Sequence, residues 1–125
     1  DYPMTLGLQQ RGFIYVDDVA SALVTLAVAP SLDGYHDLDV ADDTLTSIAD
    51  FAAIAANVTS EYVHHDAQSL LKMGALPMRS GERMLVDVDH GALRSLGWAP
   101  KVSLKKGIRA TVEDVRRRVY GLDGS

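Results

Sequence analysis

The chain has 125 residues, a formal net charge of -5 and no cysteine, which allows one domain with a real core and leaves little room for two. Hydrophobic residues make up 47% and charged residues 23%, the proportions of a packed globular domain rather than a disordered chain. Without cysteine there is no disulfide framework, thiolate zinc site or cysteine nucleophile, and the acidic balance argues against nucleic acid as a partner, which requires a basic stripe.

Taken in chain order, the apolar periodicity alternates short strand-like runs with longer helical ones, the pattern of an α/β fold. Phe13-Ile14-Tyr15-Val16 is rich in aromatic and β-branched residues and is expected to form a strand. It ends at Asp17-Asp18, whose carboxylates are expected to cap a helix running to about Ala29. Pro30 and the Asp33-Gly34 pair close that helix, and residues 35–40 form a second strand candidate, which makes a parallel strand-helix-strand unit. The next helix is expected from near Thr46, capped by its hydroxyl, to near Asn57, with Ile48, Phe51, Ala52 and Ala55 on one face. Residues 61–64 read as a third short strand. From Asp66 to Arg83 the pattern is broken by Gly74, Pro77 and Gly81, and long ordered loops of this kind are disproportionately functional. Asp89 is expected to cap a short helix through Leu96 that Gly97 stops in the left-handed conformation. Ser103 caps the last helix, with Leu104, Ile108, Val112, Val115 and Val119 as its apolar stripe. Trp98 reads as a core anchor for the last two helices and Arg116-Arg117-Arg118 as a solvated face.

No stretch is long enough for a membrane span, since the charge-free run from Val19 to Leu32 contains Pro30 and falls short of the ~18 residues needed. The absence of cysteine fits a reducing compartment, and a cytoplasmic location is expected. The sequence opens Asp1-Tyr2-Pro3 with neither an initiator Met nor a basic region leading into an apolar run, and reads as a chain entered midway, without a signal peptide.

The ten glycines are scattered, and none falls into the spacing of a dinucleotide fingerprint or a P-loop. Four residues beyond Tyr2, Tyr15, Tyr35, Tyr62 and Tyr120 stand Leu6, Val19, Asp39, Asp66 and Gly124, so no tyrosine has a lysine one helical turn on to stabilise its phenolate. His64 and His65 would point to opposite faces of a strand and do not converge on a metal. Asp17 and Asp18 are explained by capping and lack the further oxygen ligands of a calcium or magnesium site. No catalytic residue and no metal site are expected.

Three segments share a pattern. The first is Gly7-Leu8-Gln9-Gln10-Arg11-Gly12-Phe13-Ile14-Tyr15-Val16-Asp17-Asp18-Val19, close to G-x-Q-x-R-D-F-I-Y-V-D-D-V. The second is Arg79-Ser80-Gly81-Glu82, and the third is Asp89 followed by Leu96-Gly97-Trp98-Ala99-Pro100-Lys101-Val102-Ser103-Leu104 and Gly107-Ile108-Arg109. In this order and spacing they resemble the C-terminal portion of the extended short-chain dehydrogenase/reductase proteins, the NAD-dependent epimerase/dehydratase family acting on nucleotide sugars. The sequence departs from that pattern at Gly12, where the family has Asp, at His36-Asp37, where it has a tyrosine-asparagine pair, and at Asp39, where glycine is common.

The resemblance implies a small α/β substrate-binding domain over residues 1–125, with short strands alternating with helices and without the N-terminal Rossmann domain. It implies NAD or NADP bound by that missing part and not by this chain, and a nucleoside-diphosphate sugar as partner. It assigns Arg11 and Arg79 to the diphosphate, Glu82 to the ribose, and Gln9 to the same site. Guanidinium suits the first role, because its paired, always-charged donors match phosphate oxygens. The parent would be an epimerase, dehydratase or reductase, and this chain alone is expected to be inactive. Two alternatives stand beside it: a non-catalytic binding or interaction module on the same scaffold, and a reductase of hydrophobic or steroid-like substrates, which two arginines suit less well. Without the Rossmann part, the first helix and residues 35–40 should lack cover and expose apolar surface that drives self-association.

Overall fold

The structure, a computed structural model, describes residues 1–63 and 66–121. In chain order these form β1 (Tyr2–Pro3), β2 (Gln10–Arg11), α1 (Val16–Val28), β3 (Thr46–Ser47), α2 (Ile48–Ser60), a 3-10 turn (Ala67–Leu70), β4 (Leu71–Lys72), α3 (Gly91–Ser95) and α4 (Leu104–Tyr120). The result is a small α/β fold in which the helices carry the mass and the strands are two-residue clasps. β1 pairs with β4 in parallel, Tyr2 opposite Leu71. β2 pairs with β3 in antiparallel fashion, Gln10 opposite Ser47 and Arg11 opposite Thr46.

The expected helices form, with small shifts at their ends. Ser47, rather than Thr46, caps α2 by accepting from the Asp50 N–H at 3.0 Å, and the helix runs on to Ser60. Ser103 caps α4 through the Lys106 N–H. Asp89 Oδ1 accepts from the Gly91 N–H at the start of α3, and Gly97 takes φ +85° just beyond its end.

The expected strands do not form where the apolar runs lie. Residues 13–15 form no strand and Val16 already belongs to α1, while residues 35–40 form no strand either and Tyr35 is 91% exposed. The parallel strand-helix-strand unit is therefore absent: a strand needs a neighbour for its N–H and C=O groups, and none lies beside either run among the described residues. Glu61, Tyr62 and Val63 form a turn and a bend instead of a third strand. The remaining residue of that candidate, His64, and the whole His64-His65 pair lie outside the described residues. The long irregular segment is partly regular, since its residues 67–72 hold the 3-10 turn and β4.

Capping by Asp17 and Asp18 is also corrected. The residue preceding α1 is Tyr15, with no side-chain cap, and both aspartates lie in the first turn, where negative charge suits the helix dipole. Asp18 is 4% exposed, and its two carboxylate oxygens accept from the Lys101 and Val102 N–H groups at 3.0 and 2.9 Å. It ties α1 to the chain entering α4.

One core cluster joins Ala22 of α1, Leu93 of α3 and Trp98, with Ile14, Leu26, Val40 and Leu96 around it. Trp98 thus anchors α3 to α1, not to α4, and its indole N–H donates to Ser21 Oγ at 2.8 Å. A second packing region lies between α2 and α4, where Phe13 stacks on Phe51 with ring centroids 4.3 Å apart and Ile108 is buried. The far end of the α4 stripe leaves this core: Val115 and Val119 are exposed. Of the three consecutive arginines, Arg116 lies over the Tyr62 ring and Arg118 pairs with Asp114.

Candidate functional site

The site is built around the start of α2. The first N–H groups of a helix have no partner within it, and here the preceding loop supplies them. The carbonyl of Gly7 accepts from the Ala49 N–H at 2.9 Å and the carbonyl of Gln9 from the Ile48 N–H at 3.0 Å. Only glycine fits at position 7: its φ is +66°, and a Cβ there would lie 2.7 Å from the Ala49 nitrogen. These bonds hold residues 7–11 rigidly against α2.

A second segment, distant in sequence, is drawn to the same place. The Gln10 N–H donates to the Met84 carbonyl at 2.7 Å, and above this backbone bond the side chains meet. Gln9 Nε2 donates to Glu82 Oε1 at 3.0 Å across a separation of 73 residues, and Arg11 Nη2 lies 3.9 Å from the same oxygen. Arg11 Nη1 also donates to the Gln10 carbonyl at 2.8 Å, which fixes the guanidinium's direction. Gln9 is buried, whereas the side chains of Arg11 and Glu82 are 30% and 24% exposed and remain reachable.

Arg79 belongs to the turn that delivers Glu82. The Glu82 N–H donates to the Arg79 carbonyl at 3.4 Å, and Gly81 takes φ +77° within that turn. The Arg79 side chain is exposed and makes no ion pair among the described residues. So Gln9, Arg11 and Glu82 touch directly, and Arg79 joins them through its backbone rather than its side chain. On an acidic chain this sets the Arg11 guanidinium against the Glu82 carboxylate, with an exposed Arg79 on the turn that carries Glu82, an arrangement that can hold an anion and accept from a hydroxyl group.

Sequence spacing did not reveal several residues that shape this region. The Met84 carbonyl is one, because a backbone acceptor carries no residue signature. Gly12 is another: a Cβ there would meet the Asp42 carbonyl oxygen at 2.8 Å, so glycine lets residues 41–42 pass at contact distance. Asp39 accepts from the Asp89 N–H at 2.9 Å, and Asp43 holds both His90 Nδ1, at 3.1 Å, and Arg94 Nη2, at 2.5 Å. These contacts fasten residues 39–43 to the start of α3. The resolved titration shifts lie away from the site, where the Arg109 guanidinium donates to Glu61 and holds its carboxyl below the usual value.

Among the described residues no group of three His, Asp or Glu converges as a metal site, and no helix is long and apolar enough to cross a membrane. The N–H groups opening α2 are taken by Gly7, Gln9 and Ser47, Ser103 caps α4, and α1 follows Tyr15 rather than a glycine turn.

No protein-family model matches the sequence. Among curated proteins, CDP-abequose synthase of Salmonella typhimurium is 31% identical over 105 residues, covering 83% of this chain and 34% of that protein. The chain thus spans about a third of the length of the CDP-abequose synthases it matches. Among solved structures, UDP-glucose 4-epimerase of Thermotoga maritima, bound to UDP-glucose, shares the fold with a TM-score of 0.74 and 24% identity, over 95% of this chain and 36% of that one. UDP-glucuronic acid 4-epimerase of Bacillus cereus, bound to UDP-glucuronic acid and NAD, does so with a TM-score of 0.74 and 20% identity, over 93% and 36%. The relatives, the fold and the order of the three motifs agree: the chain belongs to the extended short-chain dehydrogenase/reductase family of NAD-dependent epimerases and dehydratases, and corresponds to the C-terminal portion of its longer members.

Proposed function

We propose that this chain is the substrate-binding part of an NAD(P)-dependent enzyme of nucleoside-diphosphate sugars, and that Arg11 and Arg79 hold the diphosphate while Glu82 accepts from a ribose hydroxyl. The observation that carries this reading is the meeting of Gln9, Arg11 and Glu82 across 73 residues, on two segments locked by the Gln10–Met84 backbone bond. An exposed surface pair has no need of a buried glutamine beneath it. Two of the solved structures that share the fold hold UDP-sugars, which supports a diphosphate as the anion.

The chain's own residues account for binding and orientation. Arg11 presents its guanidinium from a backbone fixed to α2, so little freedom is lost when a phosphate arrives. Arg79, on the neighbouring turn, supplies a second cation for a group that carries about two negative charges. Glu82, already accepting from Gln9 and facing Arg11 through one oxygen, keeps Oε2 for a hydroxyl donor. No redox step is assigned to the described residues. In the parent enzyme we place NAD or NADP on an N-terminal Rossmann part.

Calorimetry of the chain against UDP tests this. Saturable binding that weakens as salt is raised is expected, and Arg11→Ala and Arg79→Ala should each lose roughly 1.5 to 3 kcal/mol, the range for hydrogen bonds to charged groups. Two variants that bind UDP as tightly as the unaltered chain would show these arginines to be surface residues.

A further inference from the structure

Resting on the site proposed above, we infer that Gln9 is a positioning residue, kept not for the fold and not for direct contact with a ligand, but to aim Glu82. Gln9 is 8% exposed and lies beneath the site. Its amide N–H₂ donates to Glu82 Oε1, while its own Oε1 is buried without a hydrogen-bond partner among the described residues. The amide cannot be turned the other way, because that would set two acceptors against each other.

A buried amide oxygen without a partner destabilises the folded state, and an apolar side chain of the same length would not carry that cost. As a packing residue, then, glutamine is a poor choice for position 9. What it provides is a donor aimed at one oxygen of Glu82. With Oε1 held by Gln9 and facing Arg11, the carboxylate presents Oε2, which takes no hydrogen bond or ion pair among the described residues. A carboxylate pinned in this way meets a hydroxyl donor without first losing rotamer freedom. Without Gln9, Glu82 is free to turn toward Arg11 and close a tighter ion pair, which would withdraw both groups from the ligand. The consequence is specificity: Gln9 sets the preference for a nucleotide that carries ribose hydroxyl groups over one that lacks them.

The test uses the 125-residue chain and Gln9→Met, a near-isosteric change that removes both the donor and the orphaned oxygen. Thermal melting is measured beside NMR titrations with UDP and with 2′,3′-dideoxy-UDP. The unaltered chain should prefer UDP by about tenfold, the worth of one hydrogen bond to a charged group. In Gln9→Met that gap should close, with a melting temperature equal to or above that of the unaltered chain. Stability and selectivity then move independently, which a purely structural residue does not allow. A large fall in melting temperature, or a failure of the variant to fold, overturns the inference by making Gln9 a fold residue. An unchanged preference overturns it by showing that Glu82 does not need Gln9. Equal binding of both nucleotides by the unaltered chain removes the hydroxyl contact but leaves the diphosphate reading standing. If neither nucleotide binds, the diphosphate reading falls, and this inference with it.

Discussion

Asp18 shows what a single side chain does in this fold and why its role was hidden. In the sequence it stands where a strand-like run becomes a helix, and a carboxylate there reads as a cap. In the structure it is buried and takes the N–H groups of Lys101 and Val102 on its two oxygens, a contact between residues more than eighty positions apart that no local pattern encodes. Asp18→Ala leaves both donors without their partner and should cost roughly 2 to 4 kcal/mol in a denaturant melt. Asp18→Asn keeps one acceptor and should cost less than Asp18→Ala. Equal stability of all three proteins would mean that the loop entering α4 is held by something else. The residues of the proposed site were legible for a different reason: Gln9, Arg11, Arg79 and Glu82 sit in motifs whose pattern is visible in the linear sequence. The contacts that unite them, through the Met84 carbonyl and the Gly81 turn, were not visible there.

At the scale of elements, helices were readable and strands were not. A helix satisfies its own backbone and announces its ends through Ser47, Ser103 and Gly97, so α1, α2, α3 and α4 lie close to their expected places. A strand depends on a partner elsewhere in the chain. The apolar runs 13–16 and 35–40 looked like strands yet find no partner among the described residues, whereas Gln10–Arg11 and Thr46–Ser47 pair with each other despite being polar. The elements are joined by a few specific contacts, and two of these give predictions. Gly7→Ala forces a Cβ against the Ala49 nitrogen at a positive φ, and should destabilise the protein by roughly 1 to 3 kcal/mol while weakening UDP binding, since the loop carrying Gln9 and Arg11 moves with it. An unchanged melt and an unchanged UDP affinity would contradict this role for the loop. The Glu61–Arg109 pair links the end of α2 to α4. Because Arg109 lowers the Glu61 carboxyl from its usual 4.5, the pair's contribution is present above that pH and is lost as pH falls through the lowered value. Glu61→Gln should therefore flatten the loss of stability on acidification below pH 4.5. The effect should be small and should fade in high salt, because both side chains are partly exposed. Identical acid melts of the two proteins would mean the pair contributes nothing to stability.

Across the whole molecule, α1 has two apolar sides and one core. Asp18, Ala22 and Leu26 face inward, while Val16, Leu23, Val24 and Val28 are 61–72% exposed on the outside. A helix apolar all round is ordinarily buried all round, and a bare face of this kind favours association. The chain is expected to self-associate as its concentration rises, and Leu23→Lys with Val28→Lys should suppress this in sedimentation runs while shifting stability by no more than about 0.5 kcal/mol. A chain that stays monomeric at every concentration and ignores a hydrophobic dye would contradict that expectation. The central claim, that residues 7–12 and 79–84 form one anion-binding site, is tested most directly by mapping UDP-induced NMR chemical-shift changes onto the backbone amides of the chain. The account predicts saturable changes at Gln9, Arg11, Arg79 and Glu82 and their neighbours, with α3 and residues 33–38 unaffected. Changes centred on α3, on the α2–α4 packing region or on the outer face of α1, with residues 79–84 silent, would contradict it.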